Sequence, residues 1–148
     1  MTYADVNGLS LAYEEHGSGS GGAGSAGSAP TLILLHGGLG SGEMFEPILP
    51  ELTKARQVVT VDLQAHGRTA DIDRPLRFES MADDIGALIA RLGLAQVDVM
   101  GYSLGGGAAL RTAILRRRPA VLDVPMVNEP VPTPGHWNIK DIYQGVFD

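Results

Sequence analysis

With 148 residues, of which 44% are hydrophobic and 19% charged, the chain is long enough for one domain with a hydrophobic core. It contains no cysteine, which excludes disulfides, thiolate metal sites and cysteine nucleophiles. The formal net charge of −6 argues against a nucleic-acid partner.

No apolar run approaches the length of a membrane span, and the first residues lack the basic-then-apolar order of a signal peptide. We therefore expect no membrane partner and a cytoplasmic location.

The chain begins with two strand-like runs, residues 2–6 and 9–15, separated by Asn7-Gly8. Asn-Gly favours a hairpin because both residues tolerate positive φ. Residues 17–29 are only glycine, serine and alanine, which predicts a flexible surface loop. This loop formally contains G-x-G-x-x-G, but no helical pattern follows to receive a pyrophosphate, so we expect no cofactor.

Strand and helix patterns then alternate. Residues 31–35 and 57–63 have the apolar character of strands buried on both faces. Residues 45–54 have apolar positions at helical spacing, and the polar residues 70–77 are predicted to form a loop. Ser80 is the predicted N-cap of the next helix, which Gly93 ends. The alternation predicts a mostly parallel sheet with helices on both faces, the α/β class.

The residues from Val97 to Leu110 read as a strand, a sharp turn and a helix that extends to about Arg118. The turn, Gly101-Tyr102-Ser103-Leu104-Gly105, fits G-x-S-x-G, the pattern of a nucleophile elbow. Such a turn strains the serine backbone and projects the serine hydroxyl away from the sheet. The residues two positions before and after the serine are crowded against it, so glycine is needed at both. Ser103 is therefore the predicted nucleophile.

Three signatures in this order resemble the α/β-hydrolase family, in the N-terminal half of its fold: His36-Gly37-Gly38, Asp62-x-x-x-His66-Gly67-Arg68-Thr69, and the elbow. They cover roughly residues 3–131, with Ala65 and Thr69 where esterase- and lactonase-like members have glycine and serine. The resemblance implies that the backbone N–H groups of Gly38 and Leu104 form an oxyanion hole for Ser103. It also implies that His36 and His66 brace loops rather than act as bases.

The family order places a catalytic acid and then a histidine after the serine. After Ser103 the chain offers Asp123, Glu129 and Asp141 as acids and His136 as a base. Glu129, near the end of a predicted strand over residues 121–131, and His136 are weak candidates, so the acid and base are not identified. We expect an incomplete single domain that is truncated after that strand and is impaired or inactive.

The resemblance implies a serine hydrolase that acts on a small carboxylic ester or lactone by acyl transfer. The alternative is a non-catalytic α/β-hydrolase-like binding domain, so enzymatic activity stays open at this point. An unpaired edge after residues 121–131 would also promote self-association.

Overall fold

The computed structural model describes residues 2–17 and 29–115. Within these residues, five strands form one sheet. The strands are β1 (Thr2–Val6), β2 (Leu9–His16), β3 (Thr31–Leu35), β4 (Val58–Val61) and β5 (Val97–Gly101). The helices are a 3₁₀ helix (Gly42–Phe45), α1 (Leu49–Leu52), α2 (Phe78–Arg91) and α3 (Leu104–Leu115).

The sheet has the order β1-β2-β4-β3-β5. The strands β4, β3 and β5 are parallel, whereas β2 runs antiparallel to both β1 and β4. The predicted hairpin is confirmed: β1 and β2 pair across Asn7 (φ 49°) and Gly8 (φ 81°). The sheet is therefore mixed, with a parallel part that carries the helical connections.

Helices cover both faces of the sheet, as the alternation predicted. Ile33 and Leu35 belong to the larger core cluster, together with the apolar face of α2 and the alanines of α3. Leu32 and Leu34 point to the other face, where Phe45 of the 3₁₀ helix covers them. The central strand β3 is fully buried because both of its faces are packed.

The predicted continuous helix over residues 45–54 is wrong. The 3₁₀ helix ends at Phe45, and α1 spans only Leu49–Leu52 with a proline near its start. Pro47 and Pro50 lack the backbone N–H group that a continuous helix would use as a hydrogen-bond donor at these positions. Phe45 is buried but Ile48 is 42% exposed, so the apolar spacing does not form one buried stripe.

The prediction that Ser80 caps α2 is also wrong. The helix begins at Phe78, and its N-cap is Arg77, whose extended backbone makes no side-chain capping hydrogen bond. Ser80 therefore lies inside the first turn. The predicted end is confirmed, since α2 closes at Arg91 and Gly93 follows with φ 66°.

Several predictions concern residues outside the described ranges. These are most of the loop over residues 17–29, the strand over residues 121–131, the end of α3 near Arg118, and the acid and base candidates Asp123, Glu129, Asp141 and His136. Among the residues that the structure describes, no helix is long and apolar enough to span a membrane.

Candidate active site

Ser103 occupies a strained turn at the carboxyl end of the sheet. It lies between the last residue of β5, Gly101, and the first residue of α3, Leu104. Its φ of 50° is in the left-handed region, which costs a residue with a side chain about 1–2 kcal/mol. The side chain is exposed at this edge. A strained, exposed serine between a strand and a helix has the geometry of a nucleophile elbow.

The two glycines that flank the serine are required by close backbone approach. A Cβ atom on Gly101 would lie closer than 3.0 Å to the backbone of Gly105. A Cβ atom on Gly105 would lie equally close to the backbone of Leu35 and His36. The turn can therefore fold only with glycine at both positions.

Hydrogen bonds join the elbow to the end of the neighbouring strand. The N–H of Tyr102 donates to the carbonyl oxygen of Leu35 at 2.9 Å. The N–H of Gly105 donates to the carbonyl oxygen of His36 at 3.0 Å. The elbow and the loop after β3 are thus fixed to each other.

The loop after β3 lies directly against Ser103. A Cβ atom on Gly37 would lie 2.7 Å from the Tyr102 ring and 3.6 Å from Cβ of Ser103. Gly38 comes next and is exposed, and the loop turns back through a bond from Gly40 N–H to Gly37 O at 3.1 Å. The structure therefore brings this loop and the predicted nucleophile together.

Two backbone donors at this edge make no hydrogen bond with the part of the chain that the structure describes. Within residues 2–17 and 29–115, the N–H groups of Gly38 and Leu104 make no hydrogen bond. Leu104 also begins α3, where the helix dipole is positive. Free N–H groups beside an exposed serine can stabilise a negative oxygen that forms on its substrate.

His36 is buried, and both of its ring nitrogens have backbone partners. Nδ1 donates to the carbonyl oxygen of Gly37 at 2.7 Å, and Nε2 accepts the N–H of Leu63 at 3.0 Å. This pattern requires the neutral ring. Burial lowers the pKa of His36 from its ordinary value, although the bond to Gly37 opposes the shift. His36 braces the two loops that follow β3 and β4, as the resemblance implied.

His66 lies beside His36, with ring centroids 5.1 Å apart. Its Nδ1 bonds the carbonyl oxygen of Gln64 at 2.8 Å, within its own loop. Among the described histidines, neither this residue nor His36 or His16 bonds the Ser103 hydroxyl.

Asp62 is the main positioning residue to which the sequence assigned no role. Its buried carboxylate accepts the N–H of Gly42 at 2.7 Å and both the backbone N–H (2.9 Å) and Nε (3.1 Å) of Arg68. Burial alone would raise the pKa of Asp62, but these hydrogen bonds and the Arg68 charge lower it overall. The carboxylate therefore fastens the loop after β3 to the loop after β4. The sequence feature that could have indicated this role is the position of Asp62 directly after a buried strand.

A second polar cluster lies beneath the loop over residues 70–77. The two terminal guanidinium nitrogens of Arg74 donate hydrogen bonds to the two oxygens of the buried Asp84 carboxylate. The Nε atom of Arg74 donates to Gln64 Oε1 at 2.6 Å. Asn7 of the hairpin turn also donates to Asp84, at 2.9 Å. Within the described chain, no group of three or more histidine, aspartate or glutamate side chains could hold a metal ion.

Comparison with known proteins decides the family. A family model described as alpha/beta hydrolase fold matches residues 30–144, which is more than half of the chain. The chain belongs to the alpha/beta hydrolase fold family. This agrees with the mixed sheet and the elbow at its carboxyl edge.

Individual relatives of this α/β-hydrolase chain differ in their named activities. An sn-1-specific diacylglycerol lipase, ABHD11 from Danio rerio, is 29% identical over 126 residues, which cover 81% of this chain and 38% of the relative. The enol-lactonase from Burkholderia xenovorans LB400 is 28% identical, with a TM-score of 0.63 over 72% of this chain and 38% of the enzyme. The epoxide hydrolase CorEH is also 28% identical, with a TM-score of 0.68, and the match covers 78% of this chain and 37% of that enzyme. The chain thus spans less than half the length of these relatives.

Proposed function

We propose that this chain carries the nucleophile and oxyanion hole of a serine hydrolase that acts on a carboxylic ester or lactone. One observation carries the proposal: Ser103 is held exposed at positive φ, against the loop that contains Gly37 and Gly38, and the N–H groups of Gly38 and Leu104 make no hydrogen bond within the described residues. That arrangement is suited to attack on a carbonyl carbon and to stabilisation of the oxyanion that results.

In the proposed reaction, Oγ of Ser103 forms a bond to the substrate carbonyl carbon, and the carbonyl π electrons move to the oxygen. The N–H groups of Leu104 and Gly38 donate to this oxyanion. When the carbonyl re-forms, the bond to the alcohol oxygen breaks, and the alcohol leaves with the proton that a general base took from Ser103. Water then attacks the acyl-serine, which releases the acid and restores the hydroxyl.

The general base and its supporting acid are not among the described residues. His136 remains the candidate for the base, and Glu129 the candidate for the acid, on the basis of the sequence. General-base catalysis contributes about 10²- to 10⁴-fold, so their identity decides how active this chain is on its own. We keep the prediction that the chain alone has little or no esterase activity.

The choice of substrate class rests on the chemistry of the site. The names of the relatives include a lipase, a lactonase and an epoxide hydrolase, so they do not select one class. A serine hydroxyl with backbone N–H donors nearby supports acyl transfer, because such donors can stabilise the carbonyl oxygen that becomes charged.

Labelling with a fluorophosphonate probe, beside hydrolysis of p-nitrophenyl butyrate, tests the proposal. We expect Ser103→Ala to abolish both signals, and Ser10→Ala, a change at an exposed serine of β2, to leave both unchanged. Labelling that survives in Ser103→Ala would overturn the assignment. His136→Ala and Glu129→Gln then show whether the base and acid lie in this chain.

The second candidate is a non-catalytic binding domain. It is favoured by the absence, among the described residues, of a histidine bonded to Ser103. A wild-type chain that neither reacts with the probe nor hydrolyses the ester would support this candidate. Light scattering of the same sample tests the predicted self-association.

A further inference from the structure

The tyrosine that precedes Ser103 lies directly against the loop after β3. A Cβ atom on Gly37 would lie 2.7 Å from Cδ1 and 3.1 Å from Cε1 of the Tyr102 ring. The next nearest atom, Cβ of Ser103, would be 3.6 Å away, which is an ordinary contact distance. The φ of Gly37 is not positive, so the close ring, rather than the backbone conformation, is what requires glycine at this position.

The backbone of Tyr102 is held from two sides. Its N–H donates to the carbonyl oxygen of Leu35 at 2.9 Å, and its own carbonyl oxygen accepts the N–H of Gly105 at 2.9 Å. The side chain is 50% exposed, and its hydroxyl makes no hydrogen bond with the described part of the chain. Loss of the ring should therefore remove less buried area than loss of a core aromatic residue would.

The peptide between Gly37 and Gly38 carries one of the two proposed oxyanion donors. Its carbonyl oxygen, on Gly37, accepts hydrogen bonds from Nδ1 of His36 at 2.7 Å and from the N–H of Gly40 at 3.1 Å. In a planar trans peptide the C=O and the N–H point in opposite directions. The orientation of this one plane therefore decides where the N–H of Gly38 points.

This plane turns easily unless something beside it prevents the rotation. Rotation changes ψ of Gly37 and φ of Gly38, and neither residue has a Cβ atom to restrict these angles. Gly38 is exposed, and no atom lies within 4 Å of the position that its Cβ atom would take. The restriction has to come from the side of Gly37, where the Tyr102 ring fills the space.

We propose that Tyr102 is a positioning residue whose ring keeps the Gly37–Gly38 peptide in one orientation and so directs the Gly38 N–H. The inference rests on the proposed serine hydrolase function, in which this N–H donates to the oxyanion. The two hydrogen bonds hold the carbonyl end of the plane, and the ring blocks the space into which Gly37 would move. A donor fixed in advance stabilises the developing charge without reorganisation.

Nitrogen-15 NMR relaxation of the Gly38 amide tests the proposal without any need for catalysis. We expect an order parameter of about 0.85 in the wild type and below about 0.6 in Tyr102→Ala. Tyr102→Phe keeps the ring and should keep the wild-type value. Tyr3→Ala is the matched control, because it removes a tyrosine that is 48% exposed on β1. An unchanged order parameter in Tyr102→Ala, or an equal fall in Tyr102→Phe, would overturn the proposal.

Gly37→Ala tests the same contact from the other side. The added methyl group would meet the Tyr102 ring, so the amide resonance of Gly38 and the ring resonances of Tyr102 should both move. Unmoved resonances would contradict the contact, and this result does not depend on whether Tyr102→Ala folds. In a Tyr102→Ala background the methyl group has room, so Gly37→Ala should lower the urea midpoint less there than in the wild type. Equal losses in the two backgrounds would also overturn the proposal.

Fluorophosphonate labelling connects the peptide orientation to reactivity. Loss of a whole oxyanion donor costs about 10²- to 10³-fold, so a misdirected donor in Tyr102→Ala should slow labelling by about tenfold or more. Tyr102→Phe and Tyr3→Ala should be labelled at the wild-type rate. For p-nitrophenyl butyrate, kcat should fall in Tyr102→Ala with little change in KM, because the donor acts in the transition state.

The outcomes separate this inference from the proposed function. A wild-type chain that is labelled, beside a Tyr102→Ala variant labelled at the same rate, would overturn the positioning role alone. A wild-type chain that is not labelled would overturn the proposed function, and the relaxation of the Gly38 amide would still decide whether Tyr102 fixes the peptide.

Discussion

The N–H of Gly105 donates to the carbonyl oxygen of His36 at 3.0 Å, and no side chain on Gly105 could fit against that backbone. The serine turn and the loop after β3 are thereby held in direct contact. This contact places Ser103 beside Gly37.

We expect Gly105→Ala to destabilise the fold severely. Its Cβ atom would meet the backbone of Leu35 and His36, which cannot move without disturbing β3, and overpacking of this kind costs about 1–3 kcal/mol or more. Gly38→Ala is the control, since a Cβ atom there meets nothing within 4 Å. Urea denaturation followed by circular dichroism compares the two. Equal stability would contradict the tight approach at Gly105.

Ser103→Gly should raise the free energy of unfolding by up to about 1 kcal/mol. Glycine relieves the cost of the left-handed backbone at φ 50°, although its freedom in the unfolded chain offsets part of the gain. Ser103→Ala keeps the strain and serves as the comparison. If alanine stabilises the protein as much as glycine does, backbone strain is not the cause.

His36 should make the stability depend on pH below about 6.5. Its pKa is lowered in the folded state by burial, so the unfolded chain binds the proton more readily as the pH falls below the ordinary value of 6.5. The free energy of unfolding therefore falls with falling pH in this window. His36→Gln removes the titrating group, and we expect a flatter profile below about pH 6.5.

Urea denaturation at several pH values measures this profile. Since Gln cannot keep both ring contacts, His36→Gln should also cost about 1–3 kcal/mol at pH 8. An unchanged slope below pH 6.5 would show that another group causes it.

Asp62→Asn should cost about 2–3 kcal/mol at neutral pH. The change removes the charge that holds Arg68 and weakens the bond to Gly42, in a buried position. Glu14→Gln, which changes a partly exposed partner of Arg68 at 3.1 Å, should cost under about 1 kcal/mol. Similar losses in both variants would argue against a special role for the buried carboxylate.

Asp62 should also contribute to acid sensitivity, in a lower window than His36. Its pKa is lowered in the folded state, so its contribution is present above the ordinary value of 3.8 and is lost as the pH falls through the folded value.

Local features of the sequence predicted much of this fold. Asn7-Gly8 predicted the hairpin because its positive φ values are a local requirement. The apolar run over residues 31–35 predicted a strand buried on both faces. The spacing of Gly101, Ser103 and Gly105 predicted the elbow, because close approach admits only glycine at the outer positions.

Features set by tertiary contacts were not predictable in the same way. Serine is a residue type that favours the N-cap position, but α2 begins before Ser80, at Phe78. The Phe78 ring packs on α3 at Gly107. The roles of Asp62 and Arg74 depend on partners in distant segments, which no local pattern shows. An open pocket whose lining includes Phe78 of α2 and Leu104 of α3 likewise arises only when these two helices meet.

The sheet order has a consequence for folding kinetics. The hairpin of β1 and β2 closes through a two-residue turn and can form early. The pair Leu35 and Gly101 joins β3 to β5 across a long stretch of intervening chain, so the loop-closure entropy is large and this contact forms late. The serine turn is fixed by that same contact. We therefore expect the turn that carries Ser103 to be assembled among the last events, so that partly folded chains lack it.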